Sequence, residues 1–173
     1  MRKWVVSGVC VLVLMFSLMM STGLDTKASD NRPMLDGSYL TNETESTGTA
    51  TSITRGENLQ IGYSKIRKVG SGVIYAGGTT IAEHTCESVK VAVIVERAKW
   101  EDDEWEFVET WDKENTNADL VSTSKKLEVE GGWYYRVKCY HSADGDVSDS
   151  LTNGLYVGDP SDITPPVESG NSL

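Results

Sequence analysis

The stretch Gly131-Gly132-Trp133-Tyr134-Tyr135-Arg136-Val137-Lys138-Cys139-Tyr140-His141 decides the fold. It alternates. Trp133, Tyr135, Val137, Cys139 and His141 share one face, while Tyr134, Arg136, Lys138 and Tyr140 share the other. Successive side chains of a strand point to opposite sides, so one apolar row is buried while its partner row stays in water. The spacing predicts the central strand of an antiparallel sheet, with the odd-numbered residues in the core.

Working outward, short runs of the same kind recur between turn signals. Downstream, Asp144-Gly145 closes a hairpin onto residues 147–151, and residues 155–157 end the pattern. Upstream, Val89, Val91, Val93 and Val95 alternate with Lys90, Ala92, Ile94 and Glu96. An acidic loop, Glu101-Asp102-Asp103-Glu104, leads into Trp105, Phe107 and Trp111, and residues 112–117 read as a polar turn. Leu59, Ile61 and Tyr63 alternate with Gln60, Gly62 and Ser64, and Gly70-Ser71-Gly72 turns into residues 73–82. Gly77-Gly78 inside that last run marks a bulge or a close approach of another backbone. The expectation is an all-β domain: an antiparallel β-sandwich of about seven strands, immunoglobulin or fibronectin III-like.

The N-terminus has a different character. Arg2 and Lys3 precede an apolar run over residues 4–20, and Thr26-Lys27-Ala28 offers a small-residue exit. That is the layout of a signal peptide over residues 1–28, which predicts a secreted, extracellular protein with no membrane insertion after cleavage. Loss of Arg2, Lys3, Lys27 and Asp25 takes the net charge from −10 to −12. Such a surface repels nucleic acid, which is dropped as a partner. Residues 29–55 are polar and Ser/Thr-rich and read as a flexible linker; residues 56–158 form the β-sandwich domain, and residues 159–173, with Pro160 and Pro165-Pro166, a flexible tail. Cys10 leaves with the signal peptide, and the remaining pair, Cys86 and Cys139, is expected to form a disulfide in an exported chain. Cys86 is out of phase with the valines after it, so a bend at Glu87-Ser88 is needed to turn it inward.

Little of the chemistry points to an enzyme. His84 and His141 are the only histidines, no Gly-x-Ser-x-Gly elbow is present, and no cofactor is implied. Neither Cys-x-x-Cys nor His-x₃-His spacing occurs for zinc, and the acidic loops lack the twelve-residue calcium pattern. Aromatic residues are what remain. Trp105, Trp133 and Tyr135 are assigned to packing. Tyr134 and Tyr140, on the wet face of the central strand, and Trp100 and Trp111, flanking the acidic loop, are the candidate ligand-binding residues.

Tyr135-x-Val137-x-Cys139 followed by Ala143-Asp144-Gly145 and Ser148-x-Ser150 is similar to the F–G hairpin of immunoglobulin and fibronectin type III domains. Thr79-Thr80-x-Ala82, the valine strand ending Glu96-Arg97, Val121-Ser122-Thr123-Ser124-Lys125-x-Leu127, Tyr134-Tyr135-Arg136-Val137 and Thr152-x-Gly154-Leu155 occur in that order. Together, over residues 54–157, they resemble a family of small exported Gram-positive bacterial proteins catalogued as a domain of unknown function. That resemblance implies secretion and a β-rich single domain, and it carries no catalytic residue. The expected role is a non-catalytic binding or cell-surface module for an extracellular glycan, the cell wall or a protein partner. The alternative is a small secreted effector or bacteriocin-like protein.

Overall fold

Residues 34–50 and 56–159 are described by a computed structural model of the chain. They form nine strands and no helix, as an all-β reading requires. β1 (Met34–Leu35), β2 (Ser38–Thr41) and β3 (Glu45–Thr49) are followed by β4 (Leu59–Gly70), β5 (Val73–Ala98) and β6 (Glu106–Glu128). β7 (Trp133–Ala143), β8 (Asp146–Leu151) and β9 (Gly154–Val157) complete the set. The predicted signal peptide over 1–28 and nearly all of the predicted tail lie outside the described residues.

The expected two-sheet antiparallel sandwich of about seven strands is corrected. All nine strands join one sheet in the order β1-β2-β9-β7-β5-β4-β3, with β6 on β5 and β8 on β7, and β2 runs parallel to β9. The sheet curls into a half-barrel. Continuity through β5 is the cause. Its first half pairs with β4, from Val73↔Gly70 to Ala82↔Leu59, and its second half pairs with β7, from Val89↔Ala143 to Ala98↔Tyr134. β6 accompanies both halves, so residues 112–117 are strand rather than the expected turn, and only Asn117 (φ 49°) takes a left-handed conformation.

The corner is a bend with an identifiable mechanism. Between Ile81↔Leu120 and Cys86↔Ala118, β5 advances five residues while β6 advances two. The extra residues bend the strand. Even-numbered Ile74, Ala76, Thr80, Ala82 and Cys86 are buried, then odd-numbered Val89, Val91, Val93 and Val95, so the phase changes at Glu87-Ser88 just past the bulge. Asp144, at the β7–β8 turn, holds the corner: its carboxylate accepts the Ser88 N–H at 2.8 Å and the Glu87 N–H at 3.0 Å. Those two amides hold the Asp144 carboxyl below its ordinary value.

The two arms then face each other. Val89, Val91, Val93 and Val95 lie beside Val137, Cys139 and Ala143 of β7, and Ile66, Ile74, Ala76 and Val121 belong to the same core. Each buried valine contributes about 1.5–3 kcal/mol over an exposed one. The close backbone approach expected at Gly77-Gly78 is present at Gly77, without a bulge, where a Cβ would fall 2.6 Å from Thr123 O; at Gly78 side chains crowd instead, Cys139 Sγ at 2.6 Å and Val91 Cγ2 at 2.8 Å from a Cβ.

Residues 34–50, expected as linker, are ordered strand. A two-residue turn with positive φ at Asp36 (45°) and Gly37 (78°) folds β1 onto β2, and Leu40 is 1% exposed. What this strap covers is Arg136. Although on the face expected to be wet, Arg136 is 1% exposed, beneath Trp105 and bonded to β1, β2 and their turn.

The expected Cys86–Cys139 bridge is also corrected. Both cysteines are buried and free. The bend does turn Cys86 inward, but Cys139 lies opposite Val93, seven residues further along β5. That is about 20 Å at strand rise, whereas a disulfide needs Cα atoms within about 7 Å. Burial pushes the Cys139 thiol up to about 12 and raises that of Cys86 as well. Mass analysis after alkylation should therefore show no adduct on the folded protein and an adduct on each of Cys86 and Cys139 after denaturation without reductant; recovery of the unreduced pair as one cross-linked peptide would contradict this.

Candidate functional site

The four aromatic residues singled out above do not form one patch. Trp100 is 53% exposed, and its ring centroid lies 6.1 Å from that of Tyr134, which in turn is 5.2 Å from Tyr156. Tyr140 is exposed but stands six residues further along β7, about 20 Å away at strand rise, with Lys138 Nζ 5.2 Å from its ring. Trp111 is directly opposite Val93, which places it on the inward row; it packs against the core with Lys125 Nζ 4.7 Å above it. Proximity to an acidic loop said nothing about which way Trp111 faces; strand register did.

A different set of residues makes a groove. On the outer face of the β3–β4–β5–β6 arm, register aligns Ser122, Thr79, Tyr63 and Thr49 in one row. The next row is Ser124, Gly77, Lys65 and Thr47, and the third is Lys126, Tyr75, Arg67 and Glu45. Gly77 lacks a side chain in the middle of this grid, and the groove over it encloses about 530 Å³. That volume is within the range of small-ligand sites, about 300–1,000 Å³. β5 and β6 approach so closely that a Cβ on Gly77 would fall 2.6 Å from Thr123 O, so glycine fixes both the floor and the spacing. Tyr63 and Tyr75 stand at diagonal corners, and Thr79 and Ser122 exchange a 2.8 Å hydroxyl–hydroxyl bond at the wall.

Arg67, in the groove, is paired unlike the other described arginines. Of the three arginines among the described residues, Arg97 pairs with Glu106 and Glu130, and Arg136 pairs with Glu96 and Asp36. Arg67 lies directly opposite Glu45 in register, yet the Glu45 carboxylate pairs with Lys65 at 3.4 Å. Among the described residues Arg67 has no carboxylate partner, and it shares a row with Tyr75 and Lys126.

Other candidate chemistry resolves into structure. His141 is 1% exposed, with Nδ1 2.8 Å from Thr80 Oγ1 and Nε2 2.8 Å from Ser150 Oγ. Its ring fills the place of a side chain at Gly62, whose Cβ would fall 2.2 Å from His141 Cδ2. Burial lowers its pKa to about 4. The acidic loops bind backbone: Asp102 accepts the Lys99 N–H at 2.6 Å, and Asp146 accepts those of Asn58 at 2.7 Å and Leu59 at 3.2 Å. No group of three histidine, cysteine or acidic residues placed to hold a metal occurs among the described residues.

Residues 31–155 match DUF6147, a family of unknown function. The chain belongs to that family. The DUF6147 match begins ahead of β1, so the strap and β3 are part of the domain, and it takes in every residue of the groove. No curated protein and no solved structure matches the chain. Within this DUF6147 domain, Tyr63, Lys65, Arg67 and Tyr75 are the site residues that aromatic counting missed. Their signal is the alternation Tyr63-x-Lys65-x-Arg67 opposite Tyr75-x-Gly77-x-Thr79, in which the small row Gly62 and Ser64 takes the inside.

Proposed function

We propose that this protein is an exported, non-catalytic binding module of Gram-positive bacteria, and that its ligand face is the groove over Gly77. The N-terminal layout and the resemblance set out above support export. The observation that carries the binding role is the grid of alternate side chains on four adjacent strands, with two tyrosines, hydroxyls and cations around a gap that glycine keeps open. Tyrosine faces and hydroxyl walls suit sugar rings, which present both C–H faces and hydroxyl edges. The burial of His141 between Thr80 and Ser150 fits a role in the core, since a general base needs access to its substrate.

Saturable binding to at least one polymer in a panel of immobilised glycans and cell-wall polymers is the expected result. Tyr75→Ala, on the outer face, should weaken it about tenfold, or about 1.4 kcal/mol, while Trp100→Ala leaves it unchanged. Binding that survives both Tyr63→Ala and Tyr75→Ala would move the site elsewhere. Growth inhibition of other bacteria with no saturable binding would favour the effector reading instead.

A further inference from the structure

We infer that the groove takes an anionic glycan, a sugar chain bearing carboxylate or phosphate groups, rather than a neutral one; the inference rests on the binding role just proposed. The chain carries 26 acidic residues against 16 lysines and arginines, and of the three described arginines Arg67 alone has no carboxylate partner. Lys65 and Arg67 on β4 and Lys126 on β6 share the outer face on either side of β5, with Glu45 as the one acid in their two rows. Glu45 sits at the β3 end of its row and pairs with Lys65. That leaves the Arg67 guanidinium lining the groove beside Tyr75, a residue 46% exposed.

This arrangement matches what an acidic sugar presents. A guanidinium forks onto the two oxygens of a carboxylate or phosphate, a pairing roughly twice as strong as a neutral hydrogen bond. Tyr75, next to Arg67 in the row, offers a flat face to the ring that bears the acid, and Thr79, Ser122 and Ser124 offer hydroxyls along the wall. The chain's overall charge selects among polyanions. Duplex DNA carries one charge per about 1.7 Å and would meet the remaining acidic surface along its length. A glycan with one acid per sugar or per disaccharide meets Lys65 and Arg67 in the groove, with Lys126 across Tyr75, while repulsion from more distant acids is screened beyond about 10 Å at about 0.1 M salt.

Binding of the full chain to four probes tests this: polygalacturonate, the same polymer fully methyl-esterified, a phosphorylated mannan and single-stranded poly-dT. Polygalacturonate, the phosphorylated mannan or both should bind, the first distinguishing a carboxylate source and the third a phosphate source. The methyl ester should bind at least about tenfold more weakly than its acid, the scale of a charge-assisted pair. Arg67→Met should weaken the charged polymer by about the same factor and steepen no other property, with an unchanged circular dichroism spectrum and melting temperature. Equal binding of the ester and the acid, still lost in Tyr75→Ala, would overturn the anionic preference and leave the binding module standing. Binding of poly-dT as tight as that of either acidic polymer would overturn the choice of a glycan. No binding to any of the four, or to the wider panel, would remove both readings.

Discussion

Replacing Arg136 by methionine should lower the unfolding free energy by about 3–5 kcal/mol, the usual result of removing one partner from a buried ion pair. It should also expose the N-terminal strap to protease. Arg136 is the largest fully buried side chain, and every group on its guanidinium is used. Nε donates to Glu96 Oε2 at 2.7 Å, and Nη2 donates to Asp36 Oδ2 at 2.7 Å. Nη1 donates to Asp36 O at 2.7 Å and Ser38 Oγ at 3.1 Å, and Trp105 lies over the plane, 4.4 Å away. Two of these ligands are main-chain or hydroxyl groups of the strap, so the arginine fastens residues 34–41 to β7. Methionine fills the space but leaves Glu96, 19% exposed, without its cation. Urea denaturation measures the stability, and limited proteolysis reads the strap. Arg136→Met combined with Glu96→Leu should recover part of the loss, since the stranded charge goes too. A loss below about 1 kcal/mol with the strap still protected would mean that the parallel β2–β9 pairing holds it alone.

The same arginine marks where sequence reading succeeded and where it stopped. Alternation put Tyr135, Val137, Cys139 and His141 inside, and all four are at most 1% exposed. Trp133, on the same row, is half-buried under Arg97 and Lys99. The rule failed at Arg136 because a long cation in the wet row is sheltered by Trp105 and by strap residues 98 or more positions away in sequence; no periodicity within β7 contains the strap. It failed again in β4, where apolar Ile61 and Tyr63 invite burial. Gly62 and Ser64 go inside instead, because the His141 ring occupies the room that a Cβ at residue 62 would need. Volume decided that face, and volume is a property of the partner strand.

Strand count and sheet topology were out of reach for a related reason. The polar stretch 112–117 reads as a turn, since none of its side chains is apolar. It lies beside the corner, where a curled sheet needs twist and exposed polar faces more than hydrophobic ones. Residues 112–116 still pair with β5, and Asn115 Nδ2 donates to Leu120 O at 2.8 Å across the corner of β6. The groove inherits this geometry. The register of β4, β5 and β6 brings its strands together and places Arg67 and Lys126, more than fifty residues apart in sequence, on either side of Tyr75.

Acid should weaken the fold through His141, by about 3 kcal/mol between about pH 6.5 and about pH 4. In the unfolded chain the imidazole titrates near its ordinary 6.5, while burial in the native state lowers it to about 4. Within that window the unfolded state binds a proton that the folded state does not, so stability falls as pH falls. Above about 6.5 the ring is neutral in both states and the contribution is complete; below about 4 it is charged in both and the loss levels off. The cause is geometric. Thr80 and Ser150 hold the two ring nitrogens, Gly62 closes against its carbon edge, and the carboxylate of Asp149 offsets the desolvation only in part. Asp36 and Asp144 are held below their ordinary values by Arg136 and by the Ser88 and Glu87 amides, so their loss comes at lower pH and does not mimic this one. Urea unfolding at intervals between about pH 7 and about pH 4.5 gives the slope. His141→Gln keeps a donor and an acceptor for Ser150 and Thr80 and removes the proton, so it should start less stable at neutral pH and show a much flatter profile. A wild-type slope retained in that variant would assign the acid sensitivity to the carboxylates and deny His141 its place in it.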